Sequence, residues 1–262
     1  MFMSILSKEN IRSFGASVLA LGVFVLLWGV IAAIANSEAI PSPAAVFREG
    51  VVMFSGKIGG NTMWAHAYYS MRRVIIAFLL AAATGLPLGI MMGWNKTFDK
   101  VVSPIFELLR PIPPIAWIPI AILWLGIGEG PKIFICYVGA FVIFVLNSYT
   151  GMRYTDTQLI DAARTYGASR REQLFHVAIP ASLPSVFAGM QNALSMAWMC
   201  VLAAELVGAR EGVGFIIIQG MNLDNPPMIV VGMITIGIIG ILLAVSLRWL
   251  ERILCPWRRE LQ

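Results

Sequence analysis

The chain has 262 residues, of which 58% are hydrophobic and only 13% charged, and its mean hydropathy is +0.79. Soluble domains carry roughly 25% charged residues, so this composition excludes an ordinary soluble enzyme or binding module and predicts an all-α polytopic membrane protein. The net charge of +5 does not point to nucleic acid, because the basic residues are scattered near the ends of apolar runs, where the positive-inside rule places them.

The first element is an apolar run from Phe14 to Ala35, preceded by Lys8 and Arg12. Small residues in AAIANSEA resemble a signal-peptide cleavage site, but the run is longer than a typical signal core and reads as a retained span. Five further spans follow, at Val74 to Gly93, Pro104 to Ile127, Ile133 to Tyr149, Val186 to Val207 and Met228 to Leu250, about six in all. With both termini cytoplasmic, the inner side receives Lys8, Arg12, Arg153, Arg164, Arg170, Arg171, Arg252, Arg258 and Arg259 among others. The outer side holds Arg48, Lys57, Arg72, Arg73, Lys132 and Arg210. Trp94, Trp124 and Trp257 fall near span ends, which suits an aromatic belt, although single tryptophans are equally common as packing residues.

Between the first two spans, Pro41 and Pro43 introduce a short surface helix and GKIGGN marks a turn, after which Arg72 and Arg73 extend the second helix beyond the bilayer. In the third span, Pro111, Pro113, Pro114 and Pro119 remove backbone donors and prevent a regular helix. Pro119 is the deepest of them. Irregular backbone at membrane depth needs protein cover or a water-lined path, so this segment is either a broken helix lining a pathway or a kinked entry at the interface. GIGEGPK, from Gly126, is not a phosphate loop, because Pro131 separates Gly130 from Lys132. Asn147 and Ser148 read as a cap ending the fourth span.

DAARTYGASRREQLFHVAIP, from Asp161 to Pro180, interrupts the apolar pattern. Thr155, Asp156 or Thr157 can cap a helix whose Leu159, Ala162, Ala163 and Tyr166 fall at helical spacing. Gly167 ends it. A second short helix, about Ser169 to Val177, then runs to Pro180, and the pair makes a compact knob. The plain alternative is a solvated amphipathic loop.

In the fifth span, Gln191, Asn192, Ser195 and Trp198 recur at three- or four-residue spacing and can share one face, lining a pathway or bonding to a neighbouring helix. Glu205, near the outer end, either anchors a gate or pairs with Arg210. REGVGFIIIQG is too short to span and reads as a re-entrant or surface-lying piece. His66 and His176 form no metal-binding or catalytic motif, and no metal site is expected. Cys136 and Cys200 lie in apolar runs and read as free, buried thiols.

These residues resemble the membrane subunits of ATP-binding cassette (ABC) importers. Their cytoplasmic loop carries EAA, three residues, G, nine residues and I-x-L-P. Here Asp161-Ala162-Ala163, Gly167 and Val177-Ala178-Ile179-Pro180 keep that spacing, with Asp for Glu, Val for Ile and Ile for Leu. RPIPPIAWIPIAILWLGIGEGPKIFI and AWMCVLAAELVGAREGVGFIIIQG are similar to the nitrate, sulfonate and taurine branch.

The resemblance implies a type I importer permease fold, one transmembrane domain over residues 1–262 with a coupling loop at about 152–184. Asp161, Ala162, Ala163, Arg164 and Gly167 would dock on an ATPase, with Ile179 and Pro180 bracing the loop. Pro119, Gln191, Asn192, Ser195, Trp198 and Glu205 are the pathway candidates. A second permease copy, two cytoplasmic ATPases that bind ATP and Mg, and an external solute-binding protein are the implied partners, in a bacterial inner membrane. The chain itself would hold no cofactor and catalyse no reaction. Its solute would be a small anion such as a sulfonate, taurine or nitrate. The alternatives are a vitamin precursor or aromatic acid, or a secondary transporter, which would need ion-coupling charges in midspan.

Overall fold

The computed structural model describes residues 8–254. Trp257, Arg258 and Arg259 lie outside them, as do the side chains of Lys8, Arg12 and Arg252. In chain order the helices are α1 (Lys8–Ala35), α2 (Pro43–Ser55), α3 (Met63–Trp94), α4 (Lys96–Leu109), α5 (Ile118–Leu125), α6 (Glu129–Arg153), α7 (Thr157–Thr165), α8 (Arg170–Glu172), α9 (Ile179–Leu206), α10 (Val213–Asn222) and α11 (Pro226–Leu254). A 3-10 turn, Pro114–Trp117, precedes α5, and a π-helical turn, Gln173–Ala178, joins α8 to α9.

Among the described residues, five helical stretches are long and apolar enough to cross a membrane: Gly15–Ala35, Met63–Trp94, Glu129–Arg153, Arg170–Leu206 and Pro226–Trp249. A sixth crossing would be broken. The third span expected from the sequence is not one helix, because α4 and Pro114–Leu125 meet at 85°. Pro111 and Pro113 fall in the break, and Pro119 sits in the first turn of α5, where a missing N–H leaves no intrahelical bond unmade. The neighbouring expectations also shift: the fourth span runs on to Arg153, so Asn147 and Ser148 lie inside α6 and cap nothing.

The chain divides into two compact units, residues 1–63 with 216–234 and residues 64–215 with 235–262. In the first, Ser42 caps α2 by accepting from the Ala45 N–H, and Val46 and Met53 pack with Ile58, Met63, Ile216, Met228 and Val231. The expected turn is present: Ile58 and Asn61 pair across Gly59 and Gly60, both at positive φ.

The second unit is organised around α6. Gly85, Gly89 and Gly93 recur every four residues, one face of α3, and bring its backbone against α6. A Cβ on Gly89 would lie 2.5 Å from the Val145 carbonyl oxygen and 2.7 Å from the Ser148 Cβ. On the other side of α6, Gly189 of α9 lies against Asn147, and the Ser185 hydroxyl donates to the Asn147 carbonyl at 3.0 Å. Between these contacts the core is mostly small: Ala77, Ala81, Ala140, Ala193 and Ala197, with Val74, Phe144 and Val201. Cys136 and Cys200 are free and buried, as expected. Leu123 and Ile127, by contrast, are 80% and 88% exposed, as suits a chain whose outer solvent is lipid.

A larger side chain at the α3–α6 contact meets backbone, which cannot yield as a side chain can. Gly89→Leu should cost about 1–3 kcal/mol or more and lower the thermal midpoint of the detergent-solubilised protein. Gly22→Leu, with no atom within 4 Å of its Cβ position, should leave it unchanged.

Candidate functional site

Two sites lie toward opposite ends of α6. The first follows Arg153. Asp156 caps α7, its carboxylate accepting from the Gln158 N–H at 2.8 Å. The helix closes on Gly167 at φ +82°, a left-handed conformation that glycine adopts without steric cost. The Gly167 N–H donates to the Arg164 carbonyl and the Ala168 N–H to the Ala163 carbonyl, each at 3.0 Å, which satisfies the last orphan acceptors of the turn. Ser169 and Glu172 then bond reciprocally and start α8.

The second helix expected here does not stop at Pro180. It passes through the π turn into α9, so that Pro180 lies in the first turn of a long helix and the knob is α7 with its cap. Asp161, Ala162, Arg164 and Gly167 are exposed on it and Ala163 is half-buried. Ile179 is half-buried and Pro180 exposed on the next element. Asp161 and Arg164 pair at 3.5 Å, both about two-thirds exposed, a contact worth little to stability. Tyr166, at 92% exposure, and Leu159, at 49%, present apolar surface beside these charges.

The polar stripe of the fifth span divides. Gln191 donates to the Glu251 carboxylate and buried Trp198 donates its Nε1–H to the Ile236 carbonyl at 3.2 Å, so both engage α11. Asn192 and Ser195 are exposed, the Ser195 hydroxyl donating to the Gln191 carbonyl at 3.0 Å. Pro119 is also exposed. These side chains therefore do not share one surface.

At the other end of α6 is a buried ionic knot. Arg73, expected beyond the bilayer, is 1% exposed. Its Nη1 donates to Glu205 at 2.6 Å and to the Glu211 carbonyl at 2.9 Å, while Nε and Nη2 hold Glu129 in a two-point contact at 2.6 and 2.8 Å. Lys132 also reaches Glu129, at 2.9 Å. Glu205 thus pairs with Arg73 and not with Arg210, which was one of the two readings of its role.

The Glu205 carboxylate also accepts from the Ser70 hydroxyl at 2.7 Å and from the Gly214 N–H at 2.9 Å. Ser70 in turn accepts from the Val213 N–H at 2.9 Å, and buried His66 accepts at Nδ1 from the Gly212 N–H at 3.1 Å. Gly212, at φ +118°, has no room for a Cβ, which would fall 2.5 Å from the carboxylate oxygens. The Gly212–His66 and Val213–Ser70 contacts tie the segment after α9 to α3, while Glu205 joins α9 to both. His66, Ser70 and Arg73 recur at four- and three-residue spacing, a one-face signal in the sequence that the expected helix extension passed over.

No group of three or more potential metal ligands occurs among the described residues. The knot is built to hold charge in place. Removing one partner of a buried pair strands the other, at about 3–5 kcal/mol. Arg73→Met should therefore lower the thermal midpoint of the purified protein markedly, and adding Glu205→Leu should recover part of the loss by removing the stranded carboxylate, though not all, because the Ser70 hydroxyl and the Gly214 N–H then lose their acceptor.

Residues 85–260 match the model of the binding-protein-dependent transport system inner membrane component family. A putative ABC transporter permease protein of Methanocaldococcus jannaschii is 38% identical over 91% of this chain and 90% of its own length. The taurine transport system permease protein TauC of Escherichia coli is 33% identical over 98% and 93%. Among solved structures, an inward-facing MetNI methionine ABC transporter superposes with a TM-score of 0.65 at 21% identity, over 72% of this chain and 96% of that one, a likeness of fold. The chain belongs to the binding-protein-dependent inner membrane components, the permease subunits of ABC transporters, which are not themselves enzymes and rely on a separate ATPase subunit.

Proposed function

We propose that this chain forms half of the membrane pathway of an ATP-driven importer of a small anion, a sulfonate, taurine or nitrate. In this reading two copies pair, two cytoplasmic ATPases bind ATP and Mg and dock on the two α7 knobs, and an external binding protein delivers the solute. Both termini then face the cytoplasm. The observation that carries the reading is the α7 knob: an exposed helix with small residues Ala162 and Ala163, a rigid glycine-terminated end, and exposed Tyr166 and Leu159 for a partner to cover. A merely solvated loop has no need of so closed a set of backbone bonds.

The anion class rests on the likeness to TauC and on the sequence pattern of the nitrate, sulfonate and taurine branch. Pro119, Asn192 and Ser195 are exposed in the single chain, where a second copy or a water-filled path can meet them. In this reading they belong to the pathway, while Gln191 and Trp198 hold its wall together through α11 and Glu205 anchors its outer end.

The test is ATP hydrolysis and solute uptake by the reconstituted complex, with and without ligand-loaded binding protein. A β-branched residue at the φ of Gly167 costs about 1–2 kcal/mol, so Gly167→Val should reduce the docking-competent loop and the ligand-stimulated rate roughly 5- to 30-fold. Asp161→Arg, a surface change that leaves the fold intact, should weaken ATPase association in pull-down. Uptake that continues without ATP or ATPase, and ignores both changes, would overturn the reading.

A further inference from the structure

Beside the knob, the inner ends of α3 and α6 and the start of α4 enclose a cleft of about 990 Å³. Its lining carries five cations, Lys96, Lys100, Arg153, Arg164 and Arg170, against one acid, Asp99. That acid is engaged through one oxygen: its Oδ2 accepts from Arg153 at 3.1 Å and from the Tyr149 hydroxyl at 3.2 Å, while its buried Oδ1 has no hydrogen-bond partner. Arg164 faces Asp161. Among the described residues no carboxylate lies within ion-pair distance of Lys96, Lys100 or Arg170. The N-terminus of α4, capped by Asn95, adds its partial positive charge to the same side.

The rest of the wall mixes apolar Met92, Met152 and Ile160 with polar Thr155, Thr157 and Gln173, and Trp94 stands at the end of a membrane-spanning helix. An anion with a greasy continuation suits such a cleft better than a free ion. Basic pockets between spans on the cytoplasmic side are where anionic headgroups gather, each Lys or Arg contributing about 1 kcal/mol near the surface. We propose that this cleft binds the phosphate headgroup of an anionic lipid of the inner leaflet, beside the helix that meets the ATPase. The inference rests on the reading that the α7 knob faces the cytoplasm.

The experiment is native mass spectrometry of the whole complex, permease with its ATPases, titrated with phosphatidylglycerol or phosphatidylcholine, for the native chain and Lys96→Gln/Lys100→Gln. Both lysines are exposed, so the variant should assemble normally. Phosphatidylglycerol should be retained over phosphatidylcholine, roughly 30-fold more weakly in the variant, and millimolar inorganic phosphate should not displace it. Equal retention by native and variant complexes overturns the proposal, as does equal retention of both lipids. Displacement by inorganic phosphate overturns the lipid assignment. An assembled complex that holds no lipid overturns it too, the cleft then being filled by the ATPase.

Ligand-stimulated ATP hydrolysis is measured on the same preparation. Stimulation without lipid retention removes this inference alone, whereas loss of stimulation by the native complex removes the functional reading beneath it.

Discussion

The structure depends on how closely α6 is approached from both sides. Glycines at 85, 89 and 93 admit it to the backbone of α3, and Gly189 admits Asn147 to α9. In lipid there is little hydrophobic drive to press helices together, so van der Waals contact over small residues must supply the cohesion. Contacts of this kind leave no flexible side chain to absorb displacement. α3, α6 and α9 therefore behave as one body, with the α7 knob fixed to one end of α6 and the ionic knot to the other.

The knot completes that body where the apolar packing ends. A buried guanidinium is tolerable only with its donors used, and Arg73 uses them on Glu129, Glu205 and the Glu211 carbonyl. The Glu205 carboxylate is likewise surrounded by Ser70, Arg73 and the Gly214 N–H. Since the backbone N–H groups of residues 212–214 all point into this network, the turn after α9 cannot move without breaking several bonds at once. Charge here acts as a fastener between α3, α6, α9 and the start of α10.

Much of this was legible in the residues. Spacing alone located the knob and its Gly167 stop and narrowed its cap to Thr155, Asp156 or Thr157, of which Asp156 is the one, because capping and left-handed backbone are local properties that act within a few positions. The short helix α2, the turn at Gly59 and Gly60 and the buried thiols were legible for the same reason. The proline run announced a break, but the 85° bend and the division into α4 and α5 depend on what packs around them.

The burial of Arg73 was not legible because its partners lie 56 and 132 positions away, beyond any local pattern. The stripe at Gln191, Asn192, Ser195 and Trp198 was correctly spaced for one helix face, yet spacing says nothing of the neighbour, and α11 takes two of its members. The run from Arg170 into α9 was cut too early because proline was read as a stop, whereas the wider π turn before it carries the chain through Pro180.

The most direct test of the central claim is a distance measurement within one chain. Spin labels at Tyr154, just after α6, and Leu206, the last residue of α9, would be placed on a background without the native cysteines and read by pulsed electron resonance. The assembled complex would be measured without nucleotide and with ATP trapped on its ATPases. The account predicts one unchanged distance distribution, the body moving whole. A shift of its mean beyond the width of the distribution would show that α6 and α9 slide past one another, and would contradict it.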